Sequence, residues 1–547
     1  MKVKQIIFVL IVAFAAFLTG IIWAEKALWP YSVLAKSDFV MGLKARIVRP
    51  ERILGTTFSA LKVDSLLIGP TTSFAQRGGG IYAFDNKVLI MSYRADFVLY
   101  ESGTGERSAA RLDIEIDNDY ERFQEFTVRN ELNTLRAADE FRFIDIIYHR
   151  ESTSPSLLVS HHQWHDADEC YTLRISRLDL DPDVPLESVS ASTEDWKTVY
   201  DTTPCLSMKD KGDPFAGTQA GGRIVLESPN SVLFSVGDHD FDGWNSDHIH
   251  AQDPSSDYGK IIRVDIGSGK KSPLAYGVRN PQGLLIDDVG NVWETEHGPR
   301  GGDELNLINQ DSNYGWPRVT YGAQYGRSRW PLSETQNSDD GYARPVYAWL
   351  PSIGISNLIQ VRDFVPEWSG DLLVSSLGQK SLHRLRVRDG RVIFDEPVSV
   401  GVRIRDIDQL ENGNVVLWGD DTSIIELSPT ETIAPDIEKI VSILPELKRQ
   451  QASGTIESCQ QCHGVSPYDK SEMAPTLWGI YGRKIGATDF DGYSNGLKSR
   501  SGKWNETTLD KYLANVQAFS ADSTMAYPGI SDEDIRMVTI EYLRSLR

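Results

Sequence analysis

Two cysteines and a histidine stand together in Cys459-Gln460-Gln461-Cys462-His463. A C-x-x-C-H run is the attachment motif of c-type haem. Its two thiols, set apart by one helical turn, add across the two vinyl groups of the porphyrin. The histidine that follows then lies beneath the iron. A zinc site would need two further Cys or His ligands at zinc spacing, and none follows. The motif therefore predicts covalent haem c held by Cys459 and Cys462, with His463 as proximal ligand. Met473, Met525 and Met537 are the candidates for the opposite face of the iron. The other two cysteines, Cys170 and Cys205, either pair as a disulfide, which an oxidising compartment allows, or remain two buried thiols.

These residues need elements to position them. The segment from Ser531 to Arg547 has the spacing of an amphipathic helix, with Ile535, Val538, Tyr542 and Leu543 as its apolar stripe. Ser531 is the expected cap, with Asp534 at the capping-box position. Met537 falls on this helix and reads as core, whereas Met473 reads as a surface or packing residue. Upstream, IEKIVSILPELKRQQ has helical spacing interrupted by Pro445 and reads as a linker with a short helix.

From about Ser73 to Pro429 the chain changes character. Short β runs such as GGGIYAFDNKVLIMSY, GRIVLESPNSVLFSVGD and NGNVVLWGDDTSIIELS are separated by Gly, Asp and Asn. Loosely repeated strand-turn-strand segments of this kind predict a β-propeller with about four strands per blade, and the span suits about six blades. No long helical period interrupts them, which disfavours a parallel α/β sheet.

At the N-terminus, Lys2 and Lys4 precede an apolar run from Ile6 to Ala24. About 19 such residues suffice to cross a bilayer, and the lysines favour a cytoplasmic N-terminus. Ala24 would suit a signal-peptide cut but Ile22 would not. An uncleaved anchor is the favoured expectation, a cleaved signal peptide the alternative, and the remaining chain is extracytoplasmic in both. A net charge of -21 over 547 residues argues against nucleic acid as a partner. The expected organisation is an anchor over 1–30, an all-β six-bladed propeller over 31–430, a linker over 431–451 and a small all-α haem domain over 452–547.

The C-terminal 90 or so residues resemble class I cytochromes c. The resemblance is carried by STMAYPGISDEDIRMVTIEYLRSL, by Pro475 in MAPTLWGIYGR, by Tyr493 and Ser494 in GYS, and by Trp504 in SGKW. It implies that Met525 is the distal ligand. Histidine–methionine ligation leaves no open iron position and suits electron transfer rather than oxygen chemistry.

A second resemblance lies in YGVRNPQGLLIDDVGNVWETEHGPRGGDELNLINQDSNYGWPRVTYG, from Tyr276 to Gly322. This stretch resembles the soluble glucose dehydrogenase and aldose sugar dehydrogenase family, six-bladed propellers that bind pyrroloquinoline quinone (PQQ) and calcium. The similarity is strong from about Gly222 to Pro429 and fainter before that. It implies that Arg279, Asn280, Arg403 and Arg405 hold the quinone, that the Gly298 and Pro299 carbonyls hold calcium, and that Ser352 lies near the cofactor. The chemistry is consistent: guanidinium matches carboxylate bidentately, and calcium takes oxygen ligands. Each of these residues also has a structural alternative, the arginines as partners of carboxylates such as Asp406 and Asp408.

The chain departs from the family pattern at the base. Gln219, in TQAGGRIVL, occupies the histidine position, and a neutral amide cannot take the substrate proton. Gly378 replaces a cofactor lysine, with Lys380 close by, and Glu140 is the nearest counterpart of a cofactor glutamine. His239, Asp213, His248 and His250 are other candidate bases. The function expected is that of a single-pass inner-membrane quinohaemoprotein with periplasmic domains. It would oxidise a sugar or alcohol and pass electrons through haem to a periplasmic or membrane acceptor. The alternative is an electron-transfer cytochrome whose propeller is a non-catalytic docking module.

Overall fold

Six antiparallel sheets follow one another along the chain, and the first strand of each packs against the first strand of the next until the ring closes. The structure is a computed structural model. It describes residues 52–546 apart from 57–58, 69–77, 104–107, 131–139, 151–153, 209–216, 337–338, 431–436, 466–472 and 489. The proposed anchor over 1–30 and the candidate base Asp213 lie outside the described residues. Among those described, no helix is long and apolar enough to cross a membrane. The chain divides into two units, one built on Asp64–Leu427 and one on Ser428–Arg547 with Glu51–Val63.

The first unit is a six-bladed propeller, as the repeated strand pattern predicts. Blade one begins with Gly79–Phe84, blade two with Phe143–His149 and blade three with Gly221–Ser228. Blades four, five and six begin with Pro281–Ile286, Ile355–Gln360 and Ile404–Gln409. The last blade is completed by the strand ending at Leu67, so the two ends of the propeller sequence share one sheet. Tight turns link the strands. Asp389 and Gly390 both have positive φ, the geometry of a two-residue hairpin between Arg388 and Arg391.

Blades stack face to face, so central strands are covered on both sides and lose simple alternation. Val232, Leu233 and Phe234 are all fully buried, as are Val415, Val416 and Leu417. Burying each such side chain stabilises by about 1.5–3 kcal/mol. Near the axis the blades are tied by charge. Arg223 donates to Asp145 (3.0 Å) and Asp406 (2.8 Å), and Asn357 donates to Asp406 (2.7 Å). These residues come from the first strands of blades three, two, six and five. One helix, Tyr120–Arg129, was not expected from the sequence. It buries Phe123 and Phe126 against Phe141 and Trp164.

Cys170 and Cys205 form a disulfide. It ties the third strand of blade two to the loop leading toward blade three.

The second unit is mostly helical. Glu446–Gln460 starts directly after Pro445 and carries Cys459 in its last turn. Glu506–Ala514 and Glu533–Ser545 pack with it around Ala452, Ile456, Leu509, Leu513, Val538 and Tyr542. Val441 and Leu444, from the segment read as linker, are also buried in this core.

Two sequence expectations need correction here. The final helix is capped by Asp532 and not Ser531: the Asp532 side chain accepts from the Asp534 N–H (3.0 Å) and the Ile535 N–H (3.2 Å). Both residue types cap well, and the carboxylate also suits the positive end of the helix. Met537 is 55% exposed rather than core. It lies two residues after Ile535, which at 3.6 residues per turn turns it away from the buried stripe.

Candidate active site and haem cleft

In the helical unit, the Cys462 and His463 N–H groups both donate to the Cys459 carbonyl, at 3.3 and 3.0 Å. This local turn brings the two sulfurs and the imidazole to one side. His463 Nδ1 lies 2.7 Å from the Pro475 carbonyl. A carbonyl only accepts, so Nδ1 carries the hydrogen and Nε2 is left to bind a metal. Burial holds the His463 pKa below its ordinary value, which keeps the ring neutral.

Across the cleft, Met525 Sδ accepts a hydrogen bond from the Tyr512 hydroxyl at 3.3 Å. Cys459, Cys462, His463, Pro475, Tyr493, Leu497, Tyr512 and Met525 line one cavity of about 270 Å³. An apolar lobe of about 70 Å³ continues beneath it toward Trp504 and Leu513. Cys459 and Cys462 are not joined in a disulfide, and His463 and Met525 face the same space. These residues fit a covalently attached haem. Met473 is 73% exposed at the cleft mouth and Met537 does not line it.

In the propeller, the candidate residues are scattered in sequence but not in topology. Glu140, Gln219, Arg279, Asn280 and Ser352 each lie just before, and Arg403 and Arg405 at the start of, a blade's first strand. Asp238, His239, Gly298, Pro299, Gly378 and Lys380 each follow a blade's second strand. Both positions lie at the same end of an antiparallel hairpin, so the closed ring brings them all to one rim.

Arg279 is the best-anchored member. Its N–H donates to Glu296 (2.5 Å), its Nη1 donates to the His297 and Gly298 carbonyls (2.9 and 3.0 Å), and its guanidinium stacks 5.1 Å from the Trp316 ring centre. Asn280 is buried beside it, with its N–H also on Glu296 (3.3 Å). Arg403 and Arg405 both grip Asp420, each through Nε at 2.9 Å. Their partner is therefore Asp420 rather than the sequence neighbours Asp406 and Asp408. Burial acts to raise the Asp420 pKa, but Arg405 and Arg403 outweigh it and hold the carboxylate ionised.

His297 reports that these groups converge. Burial lowers its pKa to about 4, Asp303 opposes this, and Arg279, Arg405 and Arg403 each push it further down. Two arginines from blade six and one from the start of blade four thus act on one imidazole. Burial also raises Glu296 to about 7 against the pull of the Arg279 and Asn280 N–H groups.

The fit to a quinone carrying carboxylates can be judged from unspent polar atoms. Arg279 Nε and Ser352 Oγ are buried without a hydrogen-bond partner. For calcium, a Cβ on Gly298 would lie 2.2 Å from the Gly301 carbonyl oxygen and 2.3 Å from that of Gly302. That crowding of carbonyl oxygen at a residue with no side chain suits a hard cation. No group of three or more His, Cys, Asp or Glu able to hold a metal occurs among the described residues. A cation here would rely on carbonyls and on the cofactor's own oxygens.

The positions that depart from the family pattern behave differently. Gly378 cannot carry a side chain, because a Cβ would lie 2.4 Å from the Ile353 carbonyl. Lys380 is exposed. Glu140 is buried in an ion pair with Arg142. His239 is 4% exposed, packed against His162, Tyr171 and Tyr258, and burial lowers its pKa to about 3. His248 and His250 stack on each other at 5.8 Å. Gln219 donates from Nε2 to Asp240, a residue that sequence reading did not single out. Asp420 and His297 were also missed. Neither stands in a pattern that marks it without the fold.

The chain belongs to the Glucose / Sorbosone dehydrogenase family, whose model matches residues 130–426. An aldose sugar dehydrogenase of Escherichia coli is 30% identical over 258 residues, 43% of this chain and 64% of that protein. An uncharacterized protein of Synechocystis is 35% identical over 250 residues, 41% of this chain and 57% of that protein. The chain thus spans less than two thirds of the length of these two relatives. The C-terminal part is similar to cytochromes c, among them cytochrome c2 iso-2 of Magnetospirillum molischianum, 34% identical over 89 residues, 16% of this chain and 91% of that protein. Among solved structures, the apo form of the soluble aldose sugar dehydrogenase from Escherichia coli aligns with TM-score 0.52 and 21% identity. It covers 67% of this chain and all of that one, and it shares the fold.

Proposed function

We propose that this chain is a quinohaemoprotein dehydrogenase that oxidises a sugar or alcohol and passes the electrons to haem c. PQQ would be held at the propeller rim by Arg279, Asn280, Arg403 and Arg405, and calcium by the Gly298 and Pro299 carbonyls. When bound, an ortho-quinone polarised by calcium supplies a two-electron oxidant. Haem c would be attached through Cys459 and Cys462 and ligated by His463 and Met525. Linking the carrier to the dehydrogenase in one chain keeps it at high effective concentration. Residues 31–430 would form the dehydrogenase part, 431–451 the connection and 452–547 the carrier.

The observation that carries this proposal is the convergence of Arg279, Arg403 and Arg405 on His297, in a chain that also has a complete haem cleft. A cluster of cations on a chain of net charge -21 needs an anionic occupant. The family relatives named as aldose sugar dehydrogenases support a sugar as the substrate class. The Cys170–Cys205 disulfide supports an extracytoplasmic compartment. With residues 1–30 as a single-pass anchor, the protein would sit on the periplasmic face of a bacterial inner membrane and deliver electrons to a periplasmic or membrane acceptor.

A second reading, an electron-transfer cytochrome with a non-catalytic propeller, is favoured by Gln219, whose amide cannot accept a proton. One experiment separates the two. The purified full-length protein is loaded with PQQ and calcium and offered a panel of sugars and alcohols while the haem Soret band is followed. Reduction by a sugar supports the dehydrogenase. Failure to bind PQQ leaves only the docking module.

A further inference from the structure

Three non-glycine residues of the propeller rim meet in the left-handed region: Gln219 (φ 58°), His239 (φ 55°) and Asp240 (φ 68°). Such residues cost about 1–3 kcal/mol each and cluster at functional sites. Their two loops are locked together. The His239 N–H donates to the Gln219 carbonyl (3.1 Å), and a Cβ at Gly237 would lie 1.9 Å from that same oxygen.

The side chains complete the arrangement. Gln219 Nε2 donates to Asp240 Oδ1, and Thr218 Oγ1 donates to Asp240 Oδ2 at 2.7 Å. One donor on each oxygen fixes the carboxylate plane and favours its ionised form. A carboxylate accepts at about four sites, so acceptor capacity remains. Gln219 is 8% exposed, and its Oε1 is buried with no donor, left for a hydrogen from a ligand. The loop also reaches the arginine cluster. The Asp240 N–H donates to Asp238 Oδ1 (3.0 Å), and the Asp238 N–H donates to the Arg279 carbonyl (2.9 Å).

We propose that Asp240 is the proton acceptor of this site, oriented by Gln219 and Thr218, so that the chain keeps a base although an amide occupies the usual base position. The proposal rests on the dehydrogenase reading above. Asp240 takes the proton of the substrate hydroxyl as the O–H bond breaks. The adjacent C–H hydrogen leaves with both bonding electrons for the bound quinone. The alcohol carbon becomes a carbonyl and the quinone is reduced by two electrons. His239 is not suited to this role, since both its ring nitrogens are buried without a partner to fix a tautomer.

The test uses the full-length haem-containing protein loaded with PQQ and calcium. Asp240→Asn preserves shape and hydrogen-bond capacity but removes the base. Expected is unchanged PQQ affinity, read by tryptophan fluorescence quenching, with substrate-driven haem reduction slowed by about 10²–10⁴-fold. Adding Gln219→His to Asp240→Asn should restore part of the rate, with a pH dependence set by imidazole. Should Asp240→Asn bind PQQ poorly, Asp240→Glu provides the second measure and must reduce haem with a shifted pH profile. Haem reduction by Asp240→Asn at the wild-type rate and pH profile overturns the proposal, as does an Asp240→Glu profile identical to wild type. If wild type itself binds no PQQ, it is the dehydrogenase reading that fails.

Discussion

The haem cleft and the propeller rim are built in opposite ways. In the cleft, Cys459, Cys462 and His463 lie within one turn, and a local hydrogen bond to the Cys459 carbonyl sets their geometry. On the rim, Arg279, Arg403, Arg405 and Gln219 come from three blade junctions and meet only because six sheets close a ring. The cleft tolerates little variation, since the porphyrin dictates the spacing of its ligands. The rim tolerates a great deal, since any loop reaching it can supply a charge. A base lost at Gln219 beside a carboxylate at Asp240 is the kind of exchange that such a site permits.

The contrast can be tested from its strongest consequence downward. Replacing Cys459 and Cys462 by alanine should abolish covalent haem completely, read as loss of haem staining on a denaturing gel, while PQQ binding to the propeller persists. If haem stayed attached, the local account of the cleft would fail. Met525→Leu should leave haem attached but lower its midpoint potential by about 0.1 V or more, a part of the roughly 0.8 V range that axial ligands command. A spectroelectrochemical titration measures this, and an unchanged potential would mean that another residue binds the iron.

On the rim, Arg279→Ala should weaken PQQ binding by about 10- to 100-fold, the worth of a charge-assisted hydrogen bond. Affinity unaffected by the change would place the quinone elsewhere. The smallest expected effect concerns the propeller's own acids. Burial raises Asp408 from 3.8 to about 7, against hydrogen bonds from the Ala83 and Gln409 N–H groups. The native state therefore holds a proton that the unfolded chain has released between about pH 4 and 7. Propeller stability should fall as pH rises through that window and level off above it. Asp408→Asn should flatten this slope, with a gain on the order of 1 kcal/mol at pH 8, measured by thermal unfolding at two pH values. An unaltered slope would assign the titration to another acid such as Asp145, which burial also raises, to about 6.

Much was legible before the fold. The strand and turn rhythm predicts six blades, and the tail motif predicts the haem ligands, because both signals are short-range and repeat or stand together. Met525 is legible through its neighbours in STMAYPG, and its position across the cleft from His463 agrees. Smaller features were misread where near-equivalent residues compete. Ser531 and Asp532 both cap helices, and the register of Ile535 and Val538 selects Asp532. Met537 has the composition of core, but its angle around the helix faces it to water.

The sequence by itself determined the covalent chemistry at Cys459, Cys462 and His463, the family of the propeller and the absence of a histidine at position 219. Each is a matter of residue identity at fixed spacing, which no folding changes. Tertiary structure alone decided that Asp420 pairs with Arg403 and Arg405, that Cys170 meets Cys205, and that Asp240 stands against Gln219. Carboxylates are plentiful along this chain, and which of them meets a given cation or amide depends on loop conformation and ring closure, which are long-range properties of the packed blades.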